Sequence, residues 1–192
     1  MFELIIVPGS PALLLADAAG ARLLATARSA HPATGQIDIV GSRDPRWYTA
    51  HTGSLHAWGV RQSAPRLSGG NYLPELMARA IFPAVDVVDS RAHLEPLART
   101  TIVVVDGPAG LTPRAPLGLV EEAAEVHQWC QDLLAGTAGP QVPDNLGRGG
   151  IVEPVLWTEL AAVSGRVTQA ELLDSDDTLG VGRYVARWSV AE

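Results

Sequence analysis

A chain of 192 residues with 47% hydrophobic and 18% charged residues has the composition of one folded domain, long enough to bury about 70% of the surface its unfolded form exposes. Its formal net charge of -7, with 14 arginines scattered singly and no lysine, excludes Schiff-base and Walker-type lysine chemistry and argues against nucleic acid as a partner, because phosphate-backbone binding needs clustered cations. The lone Cys130 can form neither an internal disulfide nor a thiolate metal cluster, which points to a reducing, cytoplasmic compartment.

The opening MFELIIVPGSPALLL has no basic leader, and Pro8 and Gly9 interrupt its apolar run. It therefore reads as a buried strand and a turn, not as a signal peptide or a membrane span, and no membrane partner is expected. The strand FELIIV is apolar enough to be covered on both faces, which predicts a central position. LLLADAAGARLLATARSA follows with helical spacing, placing Leu13, Asp17 and Ala21 on one row. QIDIVGS is the second expected strand. Residues 41–71 have no sustained period and are rich in Gly, Ser and Pro, and a loop of that length in a compact domain is more often functional than idle.

YLPELMARAIF predicts a short helix that Pro83 ends, and AVDVV a short strand. TTIVVVDG is the clearest strand and closes on Asp106-Gly107. A helix then carries Val120, Ala124, His127 and Leu134 at helical spacing, with Gly136 as its stop. IVEPVLWTELAAVSG predicts another helix with Pro154 in its first turn. ELLDSDDTLG lacks the spacing of a calcium loop and reads as a solvated acidic turn. LGVGRYVARWSV alternates as a strand with two unlike faces, antiparallel and at an edge; its GVGR opens a strand rather than a helix, so it is not a dinucleotide fingerprint.

Strands alternating with helices predict a single α/β domain over residues 1–192, with a mixed, mainly parallel sheet and helices on both faces. Ligands in such sheets collect at the carboxyl ends of strands, which directs attention to Pro8-Gly9-Ser10 and to Asp106-Gly107-Pro108.

DGPAGLTPRAP followed by an acidic helix, the later LGVGRYVARW and the opening VPGSPALL together resemble the subunit-B-like class III extradiol dioxygenases, including their small actinobacterial members. The resemblance implies that family's catalytic-subunit fold and a homodimer. In active relatives a histidine in the first turn helps hold non-haem iron; that position falls here on Pro8 or Gly9. A second histidine before the central helix maps to Gly69, and the histidine of the acid-base segment maps to Ala109, while Asp106, Leu111, Thr112 and Pro113 keep their places. The ligating carboxylate maps near Gly150, and a small shift brings Glu153 into play.

Iron(II) activation of oxygen needs two imidazoles and a carboxylate on one face. The resemblance thus implies a retained scaffold with a small-molecule ligand, a pocket lined by Pro8, Gly9, Ser10, Gly69, Asp106 and Ala109, no metal or other cofactor, and no ring-cleavage activity. Two alternatives stay open. One is an active metal-dependent oxidoreductase, with Fe(II) or Zn held by relocated ligands among His51, His56, Asp106 and Glu153. The other is a hydrolase built on Ser10, although Pro11 removes the following backbone donor and the Gly-x-Ser-x-Gly elbow is missing. The non-catalytic role expected of Ser10 is to cap the next helix. His31 suits a helix end, His93 the surface, and His127 and Cys130 the interior of a helix.

Overall fold

The computed structural model describes residues 1–14, 17–30, 35–60 and 67–192. His31 lies outside them. Six strands form one sheet, and the first, β1 (Phe2–Val7), is interior as its apolar sequence predicts. It pairs in parallel with β4 (Thr101–Val104), which pairs in parallel with β2 (Gln36–Val40), which pairs in parallel with β3 (Asp86–Arg91) at one edge. On its other side β1 runs antiparallel to β6 (Arg183–Val190), and β6 antiparallel to β5 (Val167–Asp176), giving the order β3-β2-β4-β1-β6-β5.

Two expectations about the strands need correction. The closing strand is antiparallel but interior, because β5 covers it. ELLDSD, read as part of a solvated acidic turn, is the second half of β5, and Asp176 at its end is buried against Arg183. The alternation of β5 is broken by register shifts after Val167 and after Leu172, so the period-2 signal that identifies a strand is lost there.

Side chains alternate across the sheet and feed two cores. Ile5 and Val7 face α1 (Ala18–Ala30) and α2 (Leu73–Ile81), whereas Leu4 and Ile6 face α3 (Ala123–Leu134) and α4 (Val155–Val163). Helix α1 begins at Asp17, whose Oδ1 accepts the Gly20 amide at 2.7 Å, and it buries Gly20, Leu23, Ala27 and Ala30 at three- and four-residue steps. A separate 3-10 turn at Pro11–Leu14 precedes it, where the sequence suggested one continuous helix. Helix α3 buries Ala123, Val126, Cys130, Leu133 and Leu134; of the row predicted Leu134 is buried, but Ala124 is exposed, His127 is half-buried and Val120 precedes the helix, so the buried stripe centres one position round. Gly136 follows its end at φ 75, the left-handed conformation glycine adopts without strain. No helix among the described residues is long and apolar enough to cross a membrane.

Candidate functional site

The carboxyl ends of β1, β2 and β4 open onto a cleft of about 230 Å³. Its floor is the turn after β1 (Gly9, Ser10, Pro11) and the turn after β4 (Val105, Asp106, Gly107, Ala109). Ser42 and Trp47 from the segment after β2, Leu73 and Pro74 at the start of α2, and Val152, Glu153 and Leu156 around the start of α4 form the walls. The lining is mainly apolar, as small-molecule sites are, and the volume lies below the roughly 300–1,000 Å³ of drug-sized pockets.

Asp106 ties the two turns together. Its Oδ1 accepts the backbone N–H of Gly9 at 3.0 Å and of Ser10 at 3.2 Å. The approach is possible because residue 9 has no side chain: a Cβ there would lie 2.9 Å from Oδ2. Oδ2 itself has no hydrogen-bond partner among the described residues, and Asp106 is part of the cleft wall. Burial pushes the carboxyl up from its ordinary 3.8 to about 6, a desolvation effect that outweighs the two amide bonds and the attraction of Arg183. The group thus exchanges its proton close to neutral pH.

The turn carrying Asp106 is fixed from behind. Trp157 Nε1 donates to the Asp106 carbonyl at 2.9 Å, Gly107 N–H donates to Gly182 O at 2.8 Å, and Gly182 N–H donates to Pro108 O at 2.9 Å. Gly107 and Gly182 have no Cβ for a reason, since either Cβ would collide with the Tyr184 hydroxyl. That hydroxyl lies 2.6 Å from His127 Nδ1, and Trp157 packs edge-on to the Tyr184 ring at 5.6 Å. Burial lowers the pKa of His127 and raises those of Tyr184 and Cys130, which keeps all three neutral around pH 7. They form a structural layer beneath the floor.

On the opposite face of β6 lies Arg183, fully buried. Its Nη2 donates to Asp176, Nη1 is 3.9 Å from the Asp17 carboxylate, and neither Nε nor Nη1 has a hydrogen-bond partner among the described residues.

At the mouth, Glu153 is held by three donors. Arg46 and Trp47 Nε1 donate to Oε1, the latter at 3.2 Å, and the Ser42 hydroxyl donates to Oε2 at 2.9 Å. Both oxygens are engaged.

Of the residues singled out in the sequence, Gly9, Ser10, Asp106 and Ala109 meet at the cleft, and Glu153 joins them. Pro8 is buried and Gly69 sits in the segment leading to α2; neither lines the cleft. His51 and His56 are exposed and also away from it. His93 is at the surface, with Nδ1 2.7 Å from Glu159. Ser10 caps as expected, although it caps the 3-10 turn: its Oγ accepts the Ala12 N–H at 3.3 Å. Among the described residues no histidine lines the cleft beside Ser10, and the Gly9 and Ser10 amides both donate to Asp106.

Sequence reasoning did not find Ser42, Trp47 or Leu156, which reach the cleft only through the chain's crossovers. Arg183 was read as one face of an alternating strand, with no signal of the charge partners that folding brings to it.

The donors fit an iron site poorly. Among the described residues the cleft offers the carboxylates of Asp106 and Glu153 and the hydroxyls of Ser10 and Ser42, with no imidazole, and no group of three or more His, Cys, Asp or Glu residues suited to a metal occurs. No protein-family profile matches the chain, and no curated protein matches it.

Proposed function

We propose that this chain is a small-molecule-binding, non-catalytic relative of the class III extradiol dioxygenases of the subunit-B-like type, with the scaffold and its cleft in place and the iron site gone. What carries the reading is the composition of the cleft. The resemblance puts the iron-holding histidine of the first turn at Pro8 or Gly9, a second histidine at Gly69 and the histidine of the acid-base segment at Ala109, and among the described residues the cleft where the turns after β1 and β4 meet offers carboxylates and hydroxyls as candidate metal donors. A carboxylate accepting two backbone amides, as Asp106 does, has one oxygen left to offer. Two imidazoles and a carboxylate on one face are what iron(II) needs in such chemistry.

The turns themselves are well suited to holding a ligand. The turn after β1 is pinned by the Asp106 carboxylate and the turn after β4 by backbone hydrogen bonds to Gly182, so little ordering remains to oppose binding. The absence of a cofactor and a cytoplasmic location belong to the same proposal.

Elemental analysis of protein purified without chelator, with and without reconstitution by Fe(II) or Zn(II), tests the metal half. The expected result is no stoichiometric metal and no rise in Tm. Stoichiometric metal that vanishes in a His51→Ala, His56→Ala variant would instead establish a metalloprotein with relocated ligands. Trp47 is one of five tryptophans and lines the cleft, so quenching of tryptophan fluorescence by small aromatic compounds that is lost in Trp47→Phe tests the binding half.

A further inference from the structure

Resting on that reading of the cleft, we infer that its ligand is a small apolar ammonium compound, seated with its body against Leu73, Val104 and Leu156 and its N–H groups on Asp106 Oδ2. Three features of the site lead there.

The first is charge. Two carboxylates and no cationic side chain are among the described residues lining the cleft. Arg46 stands at the mouth with its side chain about half exposed, already bonded to Asp44 and Glu153. A ligand carboxylate or phosphate entering this space would meet the Asp106 charge at short range in an apolar setting, which is strongly unfavourable.

The second is hydrogen-bond inventory. Glu153 accepts from Arg46, Trp47 and Ser42, and Asp106 Oδ1 from Gly9 and Ser10. Oδ2 is left with no donor among the described residues. Oδ2 opens onto the cleft, so a ligand that supplies an N–H can take the place of solvent as its donor. An ammonium group supplies the donor and the opposite charge together.

The third is the protein's failure to neutralise Asp106 from within. The charged and titratable groups that approach it are Arg183 and Tyr184 on β6 and, across the cleft, Glu153. Arg183 is committed to Asp176, Tyr184 is neutral, and Glu153 is itself an acid held by its own donors. The result is an acid with an ordinary value of 3.8 that holds its proton up to about 6, and a bound cation would draw that value back down. The surrounding apolar wall, including the Trp47 ring, accepts the rest of an organic amine, and an aromatic face beside a cation is itself favourable.

The probes are benzylamine, benzyl alcohol and benzoate, which share one ring and differ in charge and donors. Calorimetric titration at pH 7.5 is carried out on the wild-type chain and on Asp106→Asn, a change that leaves an oxygen to accept from Gly9 and Ser10. The expected result is that benzylamine binds the wild type on the order of tenfold to a hundredfold more tightly than benzyl alcohol, with benzoate undetected, and that the preference disappears in Asp106→Asn. The wild-type comparison stands alone should the variant fold poorly. Equal binding of amine and alcohol overturns the ammonium assignment and leaves the cleft as a neutral-ligand site. Preferred binding of benzoate overturns it as well. A preference for the amine that survives Asp106→Asn moves the site to Glu153 and refutes the role given to Oδ2. Failure of all three compounds to bind, together with no Trp47 quenching by any aromatic compound, overturns the binding function itself.

Discussion

Replacing Asp106 by asparagine should make the folded chain more stable above neutral pH, an unusual outcome for a residue that accepts two backbone amides. The carboxamide oxygen introduced by the substitution would keep both bonds, so the change removes little but the ionisable group. A carboxyl raised from 3.8 to about 6 costs the folded chain up to about 3 kcal/mol once ionised. Because the folded value lies above the unfolded one, the stability contributed by the protonated carboxyl is complete below about pH 3.8 and is lost as pH rises through about 6. Oδ2 opens onto the cleft, so solvent reduces the figure and about 3 kcal/mol is a ceiling. Urea unfolding of wild type and Asp106→Asn at pH 5, 6, 7 and 8 is the assay. The variant should exceed the wild type at pH 8 by about 1–3 kcal/mol, a rise in Tm of several degrees for a chain of this size, and the gap should shrink by about 1 kcal/mol or more at pH 5. A variant less stable than the wild type at pH 8, by the same amount as at pH 5, would refute the claim that desolvation outweighs the amides and Arg183 at this carboxyl.

Other outcomes follow from the layers around the cleft. Gly182→Ala should cost on the order of 1–3 kcal/mol by forcing a methyl group into the Tyr184 hydroxyl, and Tyr184→Phe in the same chain should recover part of it, so that a double-mutant cycle by urea unfolding gives a favourable coupling. Asp176→Asn should cost about 3–5 kcal/mol because it leaves the buried Arg183 guanidinium uncompensated, whereas Asp176→Leu with Arg183→Met should lie much closer to the wild type in thermal unfolding. His127, whose pKa burial depresses below 6.5, has the opposite pH sign to Asp106: its share of stability is complete above 6.5 and declines as pH falls below it, and His127→Gln should remove that decline from the pH series.

How much of this was legible in the sequence depends on which residues act through neighbours along the chain. FELIIV and TTIVVV are apolar runs that only a covered, interior strand explains, and both sit inside the sheet. The turn at residues 9 and 10 and Asp106 were legible as site residues because strand ends in an α/β sheet are where ligands gather. Strand β5 was not legible, since its two register shifts put residues of like polarity next to each other and its three acids, Glu171, Asp174 and Asp176, mimic a loop. Helix α3 was found but rotated, because Ala124 and His127 satisfy helical spacing as well as Ala123 and Val126 do and only packing against β5 and β6 chooses between them. Ser42 and Trp47 lie more than a hundred residues from Glu153 in sequence and become its neighbours through hydrogen bonds no local pattern encodes.

The seam between the first strand and the last has a consequence for how the chain matures. Phe2 lies beside Val190 and Ile6 beside Ala186, and the backbone of Gly182 clasps the turn that bears Asp106. During synthesis, residues 183–190 must emerge before β1 gains its second neighbour, and until then one flank of it is open to pairing with another nascent chain. The floor of the cleft should therefore be completed late and all at once, when the closing hairpin docks, and a chain stopped before residue 182 should carry the residues of that floor without the frame that aligns them.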